Sequence, residues 1–245
     1  MRLDKLLAMA GLGARSSVRA LVRGGRVTVN GGTARDPALA IDPQTAAVAV
    51  DGVPLRWRAH RHIMLHKPAG VITAAQDTRL PTVMGLLPPT LRGRGLAPVG
   101  RLDRDVTGLL LLTDDGALAH RLISPRRGIE KLYLATVDGP LDAEDISAFA
   151  QGLALRDGPA LPATLTVLRS APQEAQALCA VREGRFHQVK RMFAARGRAV
   201  TCLQRLAIGP LRLDETLAPG AWRELNAAEA RALYAAAGLE ETHDL

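Results

Sequence analysis

At 245 residues the chain is long enough for two modest domains, or one large one with an appendage, each able to bury its own core. Hydrophobic residues make up 47% and charged residues 23%, a balance that excludes a disordered or fibrous chain. The net charge of +8 points to a polyanionic partner, because Lys and Arg set against phosphates gain affinity by releasing counterions.

Residues 2–10 place Leu3, Leu6, Leu7 and Ala10 at helical spacing, with Arg2, Asp4 and Lys5 expected to face outward and Gly11 to stop the helix. After Gly11 and Gly13, Ser16 or Ser17 is the expected cap of a second helix, with Val18, Leu21 and Val22 inside. Arg15, Arg19 and Arg23 recur every fourth residue and share its outer face. Gly24-Gly25 leads into Arg26-Val27-Thr28-Val29-Asn30-Gly31, a strand that ends in a hairpin signal. Residues 1–58 hold nine Lys or Arg against four Asp, a net of +5, so the basic charge is concentrated there. Arg2, Lys5, Arg15, Arg19, Arg23 and Arg26 are therefore candidate contacts to RNA or DNA phosphates, with a merely solvated basic face as the plain alternative. The aperiodic basic stretch from Trp57 to Arg61 marks a linker, set at residues 59–61 between domains at 1–58 and 62–240.

The second domain opens with a strand at His62–Lys67 closed by a Pro68-Ala69-Gly70 turn. Further strands are expected at 108–113, 131–137, 163–168, 176–182 and 201–206, and helices at 116–123, 142–151, 187–195 and 226–237. That is an α+β pattern with a mainly antiparallel mixed sheet flanked by helices. Within it, Gly100-Arg101-Leu102-Asp103 precedes Leu109 to Leu112, four leucines bounded by Gly108 and a Thr113-Asp114-Asp115-Gly116 turn. Such a run reads as a strand buried on both faces, which puts Asp103 in a loop at its mouth, where rigid scaffolds carry chemistry. In the plain alternative Asp103 pairs with Arg101 or Arg104 or caps a turn. The Asp114-Asp115 turn reads as a helix start, since hard cations want more oxygen ligands than it offers. Cys179 and Cys202, far apart and without CxxC or Cys/His spacing, read as reduced core residues. The first residues lack the apolar segment of a signal peptide, and no uncharged run nears the roughly 18 residues that span a bilayer. A cytoplasmic protein with no membrane partner is expected.

Three more segments join the Asp103 loop: Glu130-Lys131-Leu132-Tyr133, the run Arg182-Glu183-Gly184-Arg185-Phe186-His187-Gln188-Val189-Lys190-Arg191-Met192, and Leu203-Gln204-Arg205-Leu206-Ala207-Ile208-Gly209. In this order, behind the basic head, they resemble a bacterial RNA pseudouridine synthase of the ribosomal small-subunit type with an S4 RNA-binding domain in front. The resemblance covers nearly the whole chain. His66 stands where the family more often has Asn, and Val106 replaces a hydroxyl residue in the turn after Asp103.

The resemblance implies isomerisation of a uridine, in which the C1′–N1 bond breaks, the uracil turns and C5 rejoins the sugar. Nothing is oxidised and no atom is added, so neither cofactor nor metal is expected. Asp103 matches the carboxylate that attacks C1′ or removes a sugar proton, and both routes stay open. An ionised carboxylate in a dry cleft needs a neighbouring cation, for which Lys190 matches the family position and Arg191 is the competing assignment. Tyr133 matches an active-site tyrosine that stacks on the flipped base or moves a proton. Arg101 is expected to orient the loop or a flanking phosphate, and Arg185 and His187 to add phosphate contacts at a helix start, where His187 can instead be a simple cap. The expected partner is ribosomal RNA or an assembling small subunit, bound by a monomer. The alternatives are the same reaction on large-subunit RNA, or a non-catalytic S4-type assembly factor. A metal-dependent nuclease would need carboxylates clustered near the basic surface, and only Asp114-Asp115 come close.

Overall fold

Leu3, Leu6 and Leu7 share one helix face, and in the computed structural model they sit inside α1 (Leu3–Met9), packed on Val18 and Val22 of α2 (Arg15–Arg23). The structure describes residues 1–43, 45–55, 60–92 and 95–240, in two compact units at residues 1–60 and 61–240. Trp57, Arg58 and, of the expected linker at 59–61, Ala59 lie outside the described residues.

In the first unit the helices are followed by β1 (Val27–Val29), β2 (Gly32–Ala34), β3 (Val48–Val50) and β4 (Val53–Pro54), an antiparallel sheet in the order β2-β1-β3-β4. The two-residue turns at Asn30-Gly31 and Asp51-Gly52 have positive φ at both positions, the mirror-image turn that matches strand twist. Two local expectations are corrected. Helix α2 starts at Arg15 with Ala14 as its cap residue and no side-chain cap bond, so neither serine caps it. Asp4 faces inward and is only 2% exposed, accepting hydrogen bonds from Arg2 at 2.9 and 3.0 Å and from Arg19 at 2.9 Å. A buried carboxylate costs several kcal/mol when unpaired, and the two guanidinium groups offset that cost. They also hold its pKa well below the usual carboxylate range.

The second unit runs β5 (His62–Lys67), β6 (Ala97–Pro98), β7 (Thr107–Thr113), α3 (Gly116–Ile123), β8 (Lys131–Val137), α4 (Ala143–Gln151), the hairpin β9 (Ala154–Leu155) and β10 (Gly158–Pro159), β11 (Thr164–Ala171), β12 (Glu174–Val181), α5 (Gln188–Ala195), β13 (Val200–Ile208), β14 (Leu211–Arg212), β15 (Trp222–Glu224) and α6 (Ala227–Ala237). Nine of these strands form one mixed sheet, ordered β11-β12-β8-β13-β7-β5-β15, with β14 on β13 and β6 on β7. Its described pairings are antiparallel except β7 with β13. Leu109 to Leu112 are completely buried, and successive residues face opposite ways, as a strand's period of two requires. Leu110 and Leu112 pack with Phe149 of α4 and Phe193 of α5, whereas Leu109 and Leu111 pack with Leu118 of α3 and Leu233 of α6. Helices thus cover both faces of the sheet. Cys179 is buried on β12, but Cys202 is exposed, because a register shift between Val200 and Cys202 turns that end of β13 outward.

Candidate active site

Asp103 lies in the loop between β6 and β7, and the end of β5 holds that loop in place. Lys67, completely buried, donates from its Nζ to the carbonyls of Pro68, Arg104 and Val106 at 3.0, 3.2 and 2.8 Å. Burial pushes its pKa down to about 8, against the pull of Asp105 and Asp103. Thr73 Oγ1 donates to the Leu102 carbonyl at 2.8 Å and accepts from the Leu102 amide at 3.1 Å. Gly70 and Arg104 exchange further bonds across the same gap. Val106, where the family more often has a hydroxyl residue, is buried and contributes its carbonyl to Lys67. His66 is buried beside it, its Nδ1 on the Leu217 carbonyl at 2.7 Å.

A cavity of about 270 Å³ opens over this loop, and Asp103, Tyr133 and Lys190 all line it. Tyr133 reaches it from β8, in register with Cys179 on one side and Arg205 on the other. Its hydroxyl makes no hydrogen bond among the described residues. Lys190, in the first turn of α5, gives its hydrogen bonds to Asp105 at 2.7 and 2.8 Å and lies 3.9 Å from the Asp103 carboxylate. The ammonium thus sits between two carboxylates, within ion-pair distance of Asp103 and closer to Asp105. Lys190 in turn holds the Asp105 pKa below its ordinary value. His187 Nε2 is 3.4 Å from the other oxygen of Asp103, so a protonated imidazole there adds a second cation. His187 is the residue preceding α5, at φ 50°, and its side chain makes no cap bond.

The remaining site candidates divide. Arg101 lines the cavity, is exposed, and makes no hydrogen bond or ion pair among the described residues. Arg191, the competing partner for Asp103, instead holds Asp157 at 2.8 and 3.2 Å. Arg185 binds the same carboxylate and the carbonyls of Gly158 and Pro159, fastening the β9–β10 hairpin to the start of α5. In the first unit Arg26 pairs with Asp51, and Arg2 and Arg19 with Asp4, whereas Lys5, Arg15 and Arg23 are exposed with no such partner among the described residues.

Several site residues escaped the sequence reading. Asp105 follows Asp103 by two positions, and only the fold shows that it takes Lys190. Lys131 and Arg205 line the cavity with 8% and 4% of their surface exposed. The available signal was spacing, since Lys131 stands two residues before Tyr133 and so shares its strand face. Phe186 is 74% exposed and stacks on His187 with ring centroids 3.8 Å apart, unlike the buried Phe149 and Phe193. No group of three or more His, Cys, Asp or Glu residues among those described could hold a metal ion.

Residues 61–195 match the RNA pseudouridylate synthase family, and residues 1–45 match the S4 domain. The chain belongs to the RNA pseudouridine synthase family. It is 41% identical over 230 residues to an uncharacterized RNA pseudouridine synthase of Bacillus subtilis, covering 94% of this chain and 96% of that one. It is also 41% identical over 232 residues to ribosomal small subunit pseudouridine synthase A of Escherichia coli, covering 94% and 98%. A crystal structure of a pseudouridylate synthase superposes with a TM-score of 0.67 at 37% identity, over 95% of this chain and 99% of that one. This pseudouridine synthase therefore pairs an S4 domain with a catalytic domain built on a mixed α+β sheet. Among its described residues no helix is long and apolar enough to cross a membrane.

Proposed function

We propose that this enzyme isomerises one uridine of small-subunit (16S) ribosomal RNA, with Asp103 as the reacting carboxylate. The convergence of Asp103, Tyr133 and Lys190 on one cavity carries the reading. The near full-length likeness to small-subunit synthases directs it to that RNA rather than to the large subunit.

The cavity suits a single extruded base. A uridine swung out of the RNA lays its ring on Tyr133, and stacking worth roughly 1–3 kcal/mol offsets part of the cost of unstacking. Asp103 then meets the sugar, either forming a bond to C1′ or removing a ribose proton. Lys190 sets its ammonium within ion-pair distance of the carboxylate, and His187 lies against the carboxylate's other oxygen. Lys67 holds the loop carbonyls and so the carboxylate's position. The reaction balances with the nucleoside's own atoms, so this reading calls for no cofactor or metal. Arg101 and the free cations Lys5, Arg15 and Arg23 meet phosphates, with the S4 domain gripping the RNA. The enzyme is proposed to act in the cytoplasm as a monomer on RNA or on an assembling small subunit.

Mapping pseudouridines in ribosomal RNA from cells with and without the gene is the test. The expected outcome is one small-subunit site that disappears on deletion, returns with the wild-type gene and does not return with Asp103→Asn. A lost site in large-subunit RNA would redirect the substrate. Full rescue of growth and RNA binding by Asp103→Asn, with no site lost on deletion, would replace this reading by a non-catalytic assembly factor.

A further inference from the structure

We propose that Lys131 and Arg205 form a cationic floor that seats the two carbonyl oxygens of the flipped uracil and balances the negative charge of the ring while it is detached from the sugar. The inference rests on the Asp103 reading and concerns the opposite partner in the same bond cleavage.

The motivating observation is a pair of expensive, unused charges. Lys131 Nζ and Arg205 NH2 are buried without a hydrogen-bond partner among the described residues, although both side chains line the cavity. An unpaired buried cation costs several kcal/mol, and proteins keep such groups where a ligand supplies the missing partner. The Lys131 ammonium is pushed down to about 8, first by burial and then by the charge of Arg205. The carboxylates around them are otherwise engaged. Glu183 accepts from the Leu161 amide and from Gln188, and Asp103 faces His187 and Lys190.

Strand geometry makes the two cations and the tyrosine one platform. Lys131 and Tyr133 are two residues apart on β8, and Arg205 on β13 stands directly opposite Tyr133. The Arg205 Nε is fixed by the Leu109 carbonyl at 2.8 Å, which leaves its NH2 for a ligand.

The chemistry calls for positive charge here. When C1′–N1 breaks heterolytically, the electron pair stays on N1 and spreads to O2 and O4. The sugar is meanwhile bonded through C1′ to an Asp103 oxygen, or has passed its C2′ proton to Asp103 and holds a C1′–C2′ double bond; the ester bond breaks, or that proton returns to C2′, as C5 bonds to C1′. The ring then turns about its N3–C6 axis, C5 bonds to C1′, and the C5 proton leaves while N1 gains one, so the product is an isomer. That rotation exchanges N1 with C5 and O2 with O4. Two donors set against the two carbonyls therefore meet the same pattern before and after the turn. Donors aimed at charge that develops during the reaction commonly supply factors of 10²–10³ in rate.

Single-turnover kinetics on small-subunit RNA test this with Lys131→Met, Lys131→Arg and Asp103→Asn. Lys131→Met is expected to lower kcat by about 10²-fold with KM for RNA within about twofold. Its melting temperature should be unchanged or higher, since an unpaired buried charge is removed, and Lys131→Arg should restore most of the rate. A second readout does not need the reaction: 5-nitrouracil, a pyrimidine that is anionic near neutral pH, should bind wild-type and Asp103→Asn enzyme. Its affinity should fall at least tenfold in Lys131→Met. Wild-type kcat and wild-type 5-nitrouracil affinity in Lys131→Met would overturn the floor while leaving Asp103 in place. Product formation by Asp103→Asn together with lost 5-nitrouracil binding in Lys131→Met would overturn the Asp103 reading and leave the floor standing.

Discussion

Gly108 opens the buried strand, and a side chain there has nowhere to go. Its φ is +102°, and a Cβ would lie 2.3 Å from the carbonyl oxygen and 2.7 Å from the amide of Arg205. Glycine thus allows β7 to approach β13 along the parallel pairing, and the same approach positions Arg205 at the cavity floor. Gly108→Ala is expected to cost on the order of 3 kcal/mol, through a strained backbone and a forced strand shift, read as a lower denaturant midpoint. Pseudouridine formation should fall as well, because the displaced residue lines the cavity. The sequence marks Gly108 as the edge of an apolar run, but the reason for it lies almost a hundred residues away. Asp103 was legible because it sits in a distinctive string before four leucines. Its neighbours Lys67 and Asp105 were not, since a buried lysine and an exposed one look alike until the surrounding carbonyls are placed.

The helix α2 shows how an amphipathic element can be read correctly in outline and still change meaning when packed. Its inward positions Val18 and Val22 are fully buried, as the spacing indicates. Of its three outward arginines, Arg19 is tied to the buried Asp4, and Arg15 and Arg23 stay open. Arg15→Ala with Arg23→Ala should weaken RNA binding with little loss of stability. The slope of log K against log salt should flatten by about 0.7–0.9 for each phosphate that the variant no longer neutralises, measured by titration at several salt concentrations. Arg19→Ala should behave differently and destabilise the unit, because Asp4 keeps its burial and loses a partner. Elsewhere the legible elements are those with strong local signals. Helices α4 and α6 begin at Asp142 and Asn226, each of which forms a reciprocal capping box. Asp115 caps α3 by accepting from the Ala117 and Leu118 amides. The short strands β6, β9, β10 and β14 were missed, since two residues carry no periodicity and their pairing depends on distant partners.

Across the whole catalytic unit, burial of Lys67 and Lys131 links stability to alkaline pH. Both ammonium groups have pKa values near 8 in the folded chain, against 10.5 as the ordinary value. Between these limits the unfolded chain binds more protons than the folded one, so stability should rise as pH increases from about 8 to 10.5. Below pH 8 both states hold the protons and the contribution is flat. Denaturant unfolding across that range checks the sign, and Lys131→Met should remove part of the slope. The S4 unit responds at the acid end: Asp4 is held below its ordinary pKa by Arg2 and Arg19. Its stabilisation is complete above the unfolded value near 3.8 and is lost as pH falls toward the folded one.

By itself the sequence determined the mixed α+β class, the helices and long strands, and the family to which the Asp103 loop belongs. These follow from signals a few residues wide: apolar periodicity, caps, glycine breaks and contiguous motifs. The tertiary structure decided which charges remain available. Lys190 goes first to Asp105, Arg185 and Arg191 go to Asp157, and Arg2 and Arg19 close on Asp4. Lys131 and Arg205 end buried and unsatisfied at the floor of the cavity. Strand pairing brings residues from β8 and β13 side by side although some seventy positions separate them in the chain. A charged side chain's role depends on what lies within a few ångströms of its tip, and that neighbourhood exists only after the sheet has closed.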